Sequence, residues 1–180
     1  LVGIGLEPRT ELADQLGLSI DHGIVVDEYA RTSNPAIVAA GDCTTLPHPL
    51  NGTGHVRIES VQNAIAQAQV AAASLLGRPK ASGAVPWFWS DQADLKLQIA
   101  GLSNGYDEVV LRGDPDTERF SVLYYQGGRL LAVDAVNRPA DYMAVRKALS
   151  SGCDIPAALA HDDATPLKTL ITSTELAGTR

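Results

Sequence analysis

The chain has 180 residues, 45% of them hydrophobic, and a formal net charge of −7, which predicts one or two domains with a real core. The negative charge argues against a nucleic-acid partner, because such a partner requires a clustered basic surface. No apolar run approaches the ~20 residues of a membrane span. Cys43 and Cys153 have no metal-ligand spacing, so we expect free thiols in a cytoplasmic, reducing compartment.

The first half of the chain predicts short elements followed by one long helix. Residues 9–16 have helical spacing and end at Gly17, and residues 23–27 predict a short strand. The apolar run 36–40 follows a turn-forming Ser-Asn-Pro and predicts a buried parallel strand. Residues 58–76 predict the longest helix. We expect its buried face to consist of Val61, Ile65, Ala68, Ala72 and Leu76.

The second half changes character after residues 78–92, which we interpret as a linker that carries the motif Trp-Phe-Trp-Ser-Asp-Gln. Short apolar or alternating segments then predict an antiparallel sheet, with a hairpin turn at 126–129. Helices are predicted at 141–149 and near Thr165-Pro166. This arrangement is typical of an α+β domain. The predicted strands are 95–101, 108–112, 120–125 and 130–136.

The 36–40 run stops at Gly41-Asp42, where a ligand could bind. Gly41 has no Cβ, so a bulky ligand can approach the backbone. Asp42 projects a carboxylate beyond the predicted strand end, where open α/β sheets place their ligands. A carboxylate there suits sugar-like hydroxyl groups, which donate charge-assisted hydrogen bonds to it. A turn in which Asp42 caps a helix is the alternative.

Longer motifs link this site to a known family. The pattern Thr-x-x-x-x-Ile-x-Ala-Ala-Gly-Asp at 32–42 resembles the second flavin-binding motif of FAD-dependent pyridine-nucleotide oxidoreductases. The segments 56–64, 86–92 and 133–139 then resemble, in order, the carboxyl-terminal part of ferredoxin reductases of the putidaredoxin reductase and rhodocoxin reductase type. This resemblance covers nearly the whole chain, and Trp-Phe-Trp-Ser-Asp-Gln is specific to that branch.

The resemblance implies a division of the chain. Residues 1–77 would hold the end of the NADH domain and the second segment of the FAD-binding domain, an α/β fragment of a flavin-binding Rossmann-like domain. Residues 93–180 would form an α+β carboxyl-terminal interface domain, an antiparallel sheet with helices. We therefore expect a piece of a protein roughly twice as long, whose pyrophosphate-binding segments lie outside this sequence.

The resemblance also implies residue roles at the cofactor. Gly41 and Asp42 would meet the ribityl chain of FAD, and Ser60 and Val61 would meet its isoalloxazine. The free N–H groups at that helix start favour negative charge, although an ordinary amphipathic helix with Ser60 in its first turn is the alternative. Trp89 would lie beside the flavin.

Core filling is the alternative for both tryptophans. We expect the indoles of Trp87 and Trp89 on opposite faces of a strand, one against a flat ligand and the other toward solvent or a partner. Such an arrangement would leave one ring beside the flavin, as the resemblance implies for Trp89.

The implied function is electron transfer from NAD(P)H through FAD to a [2Fe-2S] ferredoxin that serves a mono- or dioxygenase. We assign no catalytic acid or base, because none of these residues is a proton-transfer catalyst. We assign no metal ligand, because the four histidines show no ligand spacing. Another single-flavin reductase, an isolated non-catalytic interaction domain and an apoptosis-inducing factor-like regulatory flavoprotein remain alternatives.

A basic cluster is the predicted docking site for the ferredoxin. Arg138 precedes the predicted helix 141–149, and Arg146 and Lys147 lie on it, with no acidic residue between Tyr142 and Gly152. Because small ferredoxins are usually acidic, a local cluster must supply the attraction that the overall charge does not. The alternative is a solvated helix face without a partner.

Overall fold

The computed structural model describes residues 4–50, 54–81 and 84–173. The chain divides into two compact units, Leu1–Ala84 and Val85–Arg180. The helices are α1 (Glu11–Gln15), α2 (Val61–Leu75), α3 (Pro139–Ser150) and α4 (Ala157–Ala160). The strands are β1 (Ile24–Val25), β2 (Thr44–Pro47), β3 (His55–Val56), β4 (Trp87–Gln92), β5 (Leu95–Gly101), β6 (Glu108–Asp114), β7 (Arg119–Gln126), β8 (Arg129–Val136), β9 (Cys153–Asp154) and β10 (Thr172–Ser173).

The first unit contains a small mixed sheet and the long helix α2. Strand β1 pairs in parallel with β2, and β2 pairs antiparallel with β3. Buried Ala30, Val70 and Ala71 form a small core, against which Val38 and Ala40 pack. The small side chains allow α2 to lie close to the irregular segment that precedes Gly41.

The predicted strand 36–40 is wrong. Among the described residues, the β-type pairing of this run is one isolated antiparallel bridge between Arg31 and Val38. Residues 37–40 are half-buried rather than buried. The N–H and C=O groups of Val38 have no hydrogen-bond partner in the described part of the chain. An apolar run becomes a sheet strand only when neighbouring segments pair with its backbone, and no described segment does so on this edge.

The predicted buried face of α2 is also wrong. Val61 is 66% exposed and Leu76 is 75% exposed, whereas Gln67, Val70 and Ala71 are buried. Because alanines occur all around this helix, the apolar periodicity did not single out one stripe. The inward face is instead set by a buried hydrogen bond of Gln67 to the backbone of Gly41.

The second unit is a five-stranded antiparallel sheet in the order β4-β5-β8-β7-β6. Helix α3 packs against β8 and β5, and Leu123, Val133 and Val145 are fully buried in the core. The hairpin between β7 and β8 is confirmed, since Gly127 and Gly128 both have positive φ, 54° and 77°, as a tight two-residue turn requires. The antiparallel sheet with helices is confirmed.

Two local elements differ from the sequence prediction. The Trp-Phe-Trp-Ser-Asp-Gln motif, assigned to the linker 78–92, forms the edge strand β4, with Trp87 opposite Ala100 and Gln92 opposite Leu95. Ala93, in the turn that closes this hairpin, has φ 55°, and no Gly marks it in the sequence. Near residue 165 the structure has a 3-10 turn, Leu167–Thr169, rather than a helix, and α4 was not predicted.

Arg112 is buried in the second unit and connects the sheet to the segment 160–165. Its side chain is 1% exposed. The Nη1 group donates to the carbonyls of Ala160 and Asp162, and Nη2 donates to the carbonyl of Thr165. The Nε atom lies 3.5 Å from the carboxylate of buried Asp141. No local pattern indicates this role, because arginine in an alternating strand favours a solvent position.

Candidate functional site

The Gly41-Asp42 turn is held by the side chain of Gln67. Gly41 N–H donates to Gln67 Oε1 at 2.6 Å, and Thr44 Oγ1 lies 2.8 Å from the same oxygen and 2.8 Å from the Gly41 carbonyl. Gly41 has φ +90°, and a Cβ there would lie 3.6 Å from Ala64 on α2. A glycine is therefore required by the backbone angle rather than by lack of space.

Asp42 is half-buried beside this turn, and its carboxylate makes no hydrogen bond or ion pair within the described residues. A partly buried carboxylate without a protein partner favours a ligand that donates hydrogen bonds to it. The alternative role as a helix cap does not apply to α2, because Ser60 occupies that position.

The start of α2 presents Ser60 and Val61. Ser60 is the N-cap and its Oγ accepts a hydrogen bond from Asn63 N–H at 3.2 Å. Val61 is the first helical residue and is exposed. The N–H groups of the first turn lack acceptors within the helix and give this end a partial positive charge. This end of α2 can stabilise an anionic or electron-rich group.

Sequence reasoning missed a cleft in the same unit, with a volume of about 470 Å³. Asp27, Glu28, His48 and Gln67 supply its polar side chains. Burial lowers the pKa of His48, which favours the neutral form of this imidazole. Gln67 belongs both to this cleft and to the Gly41 turn, which no local sequence pattern could indicate.

In the second unit, Trp87 and Trp89 lie on the same face of β4 and stack, with ring centroids 5.6 Å apart and 26° between their planes. The prediction that they lie on opposite faces is wrong, because residues two apart in a strand share a face. Trp89 is 45% exposed. Both rings border an open groove of about 510 Å³ that also contacts Lys96 and Arg119.

The three predicted docking cations have different surroundings. Arg138 is 18% exposed and forms ion pairs with Asp141 and Asp163, which neutralise its charge. Arg146 is half-buried over the ring of Trp87, 4.5 Å from the ring centroid. Lys147 is exposed. Only Lys147 of these three presents its charge to solvent without a described contact.

No helix among the described residues is long and apolar enough to cross a membrane. In the same residues, no group of three or more histidine, cysteine, aspartate or glutamate side chains could hold a metal ion.

Two family models match the chain in succession. Residues 1–68 match the pyridine nucleotide-disulphide oxidoreductases, and residues 87–171 match the reductase C-terminal family. The first part of the chain is therefore similar to the pyridine nucleotide-disulphide oxidoreductases, and the second part to the reductase C-terminal family. The α/β fragment followed by an α+β domain, expected from the sequence, is confirmed.

Similar proteins within this class are ferredoxin reductases. Putidaredoxin reductase of Pseudomonas putida is 44% identical over 95% of this chain and 40% of its own length. Rhodocoxin reductase of Rhodococcus erythropolis is 48% identical, also over 95% of this chain and 40% of its own length. The crystal structure of a covalent putidaredoxin reductase–putidaredoxin complex matches with a TM-score of 0.87 at 45% identity, covering 93% of this chain and 40% of that one. The family resemblance expected from the motifs is confirmed, and the chain spans about two fifths of the length of these relatives.

Proposed function

We propose that this chain is part of a flavoprotein that passes electrons from NAD(P)H through FAD to a [2Fe-2S] ferredoxin, which in turn serves a mono- or dioxygenase. The observation that carries the proposal is the half-buried carboxylate of Asp42, which makes no hydrogen bond or ion pair within the described residues. It lies beside the Gly41 turn that Gln67 of α2 holds. The similarity to putidaredoxin reductase and rhodocoxin reductase over 95% of the chain supports it.

The residues of the first unit fit one part of FAD. Asp42 would accept hydrogen bonds from ribityl hydroxyl groups, and Gly41 would allow the cofactor to approach the backbone. The start of α2, at Ser60 and Val61, would stabilise negative charge on the flavin ring. When bound, FAD supplies the change from two-electron to one-electron chemistry.

The second unit would supply the surface for the ferredoxin. Trp89 would lie beside the flavin and exclude water from it. Lys147, whose charge faces solvent, would attract an acidic partner more strongly than ion-paired Arg138 or half-buried Arg146. We propose that residues 93–180 act as this interface domain and residues 1–77 as part of the FAD and NADH domains. The free thiols of Cys43 and Cys153 support a cytoplasmic location.

The test uses the intact protein that contains this chain, loaded with FAD, a purified [2Fe-2S] ferredoxin and either NADH or NADPH without oxygen. We expect bleaching of the ferredoxin's visible absorbance that requires both FAD and the nicotinamide. A protein that retains FAD and oxidises neither nicotinamide in the presence of the ferredoxin would favour a regulatory flavoprotein and overturn the proposal.

The 180-residue chain by itself is expected to retain FAD poorly. Asp42, the start of α2 and Trp89 supply only part of the contacts that a dinucleotide cofactor needs, since no glycine-rich G-x-G-x-x-G turn is present for its pyrophosphate. Desalting after incubation with FAD, followed by absorbance near the flavin bands, measures retention. A stoichiometric yellow chain would contradict this expectation.

Gln67→Leu in the intact protein is expected to weaken FAD retention without removing a flavin contact. The substitution leaves the Gly41 N–H without its acceptor and loosens the turn that places Asp42, at a cost of about 1–3 kcal/mol in stability. Gln69→Leu is the matched control, because Gln69 is exposed on the same helix. Equal FAD retention in both variants would show that the turn does not depend on Gln67.

A further inference from the structure

Four side chains of the second unit form a continuous column. Trp89 stacks on Trp87, and the guanidinium of Arg146 lies over the ring of Trp87, 4.5 Å from its centroid. Arg146 also lies 5.9 Å from the ring centroid of Tyr142 and donates from Nη1 to Tyr142 Oη at 3.1 Å. The column begins at Tyr142, which is 3% exposed, and ends at the half-exposed Trp89.

The column follows from the spacing of its members. Trp87 and Trp89 share a face of β4 because they are two residues apart. Tyr142 and Arg146 are four residues apart on α3, so their side chains meet on one face of the helix. Trp87 packs against the core of the unit, and Trp89 is half-exposed and stacks on Trp87. The position of the Trp87 ring therefore constrains the plane of the Trp89 ring.

Arg146 is suited to this contact by shape as much as by charge. A planar guanidinium can stack on an indole while it donates a hydrogen bond, and a lysine ammonium cannot reproduce both contacts. Because Arg146 is half-buried over Trp87, its charge is less available to a partner than that of exposed Lys147. The sequence predicted Arg146 as a charge for docking a partner, whereas the structure places its guanidinium over an indole.

We propose that Arg146 is a positioning residue, which fixes the ring of Trp87 and through it the plane of Trp89 on the surface used for electron transfer. The role of Trp89 rests on the proposed function, whereas the positioning of the two indoles does not. The planar stacking of Arg146, rather than its net charge, is the property that matters.

The chain's two tryptophans make the stack directly measurable. Since Trp87 and Trp89 are its only tryptophans, every indole signal of the 180-residue chain comes from this pair. We expect a coupled pair of circular dichroism bands from the stacked rings. These bands should be absent from Trp89→Phe, which assigns them to the stack. Arg146→Gln and Arg146→Lys are both expected to reduce their amplitude roughly twofold or more, because each removes the cation–π contact made by a planar group.

Lys147→Gln is the matched control, since it removes a charge from the neighbouring position of α3 and should leave the coupled bands unchanged. Far-ultraviolet helix and sheet signals and the melting temperature show whether each variant is folded. Full amplitude in folded Arg146→Gln or Arg146→Lys would overturn the proposal. Loss in Arg146→Gln with full recovery in Arg146→Lys would also overturn it, because charge alone would then suffice.

A kinetic measurement on the intact protein tests the consequence for electron transfer. Arg146→Lys is expected to slow reduction of a [2Fe-2S] ferredoxin roughly three- to tenfold at low and high salt alike, since a misplaced ring rather than a lost charge limits the rate. A normal rate in Arg146→Lys would overturn the role of Trp89 orientation. If the unchanged protein does not reduce ferredoxin, the proposed function fails, while the dichroism still decides whether Arg146 positions the indoles.

Discussion

Arg112→Met is expected to lower the free energy of unfolding of the second unit by about 3–5 kcal/mol. The substitution removes the guanidinium that donates to the carbonyls of Ala160, Asp162 and Thr165. It also removes one of the two cations near buried Asp141. Methionine fills much of the volume but makes none of these hydrogen bonds. Urea denaturation followed by tryptophan emission measures the effect on this unit alone, because both tryptophans belong to it.

Arg119→Met is the matched control for this prediction. Arg119 lies on β7 of the same sheet and is exposed, so its replacement should change the free energy of unfolding by about 0.5 kcal/mol or less. Arg112→Lys keeps a cation near Asp141 but cannot donate to all three carbonyls, so it should recover only part of the loss. A loss below about 1 kcal/mol in Arg112→Met would mean that the segment 160–165 is held by other contacts.

Asp42→Ala in the intact protein is expected to weaken FAD binding by about 1.5–3 kcal/mol, which corresponds to roughly 10- to 150-fold in the dissociation constant. The carboxylate has no described protein partner, so its removal takes away a charge-assisted acceptor for the ribityl hydroxyl groups and little else. The fold should remain intact for the same reason. Flavin fluorescence on serial dilution measures release of the cofactor.

Asp14→Ala controls for the change in net charge, because Asp14 is an exposed residue of α1. Asp42→Asn separates the charge from the hydrogen-bonding geometry and should bind FAD with intermediate affinity. If Asp42→Ala releases FAD no faster than Asp14→Ala, the assignment of the Gly41-Asp42 turn to the ribityl chain is incorrect.

The sequence by itself determined those features that depend on near neighbours in the chain. Three features have local signals in the sequence. Two adjacent glycines mark the turn at 127–128, alternating side chains mark the four long strands after residue 94, and a proline marks the start of the helix at Pro139. Gly41-Asp42 was singled out as a ligand site because glycine has no Cβ and Asp42 carries a carboxylate, whereas the turn itself was visible only in the structure. The motifs from Thr32 to Pro139 were sufficient to indicate the family.

Only the tertiary structure decided which faces are buried and which charges are free. The run 36–40 makes one isolated antiparallel bridge instead of the expected parallel pairing. Helix α2 buries Gln67 rather than the predicted apolar stripe, because burial depends on segments distant in sequence. The same holds for Arg112 and Arg146, which resemble solvent-exposed cations in the sequence. Arg112 is buried and donates to carbonyls of the segment 160–165. Arg146 lies over the indole of Trp87, which belongs to another element. Such contacts form between residues about 50 positions apart, where local propensity carries no information.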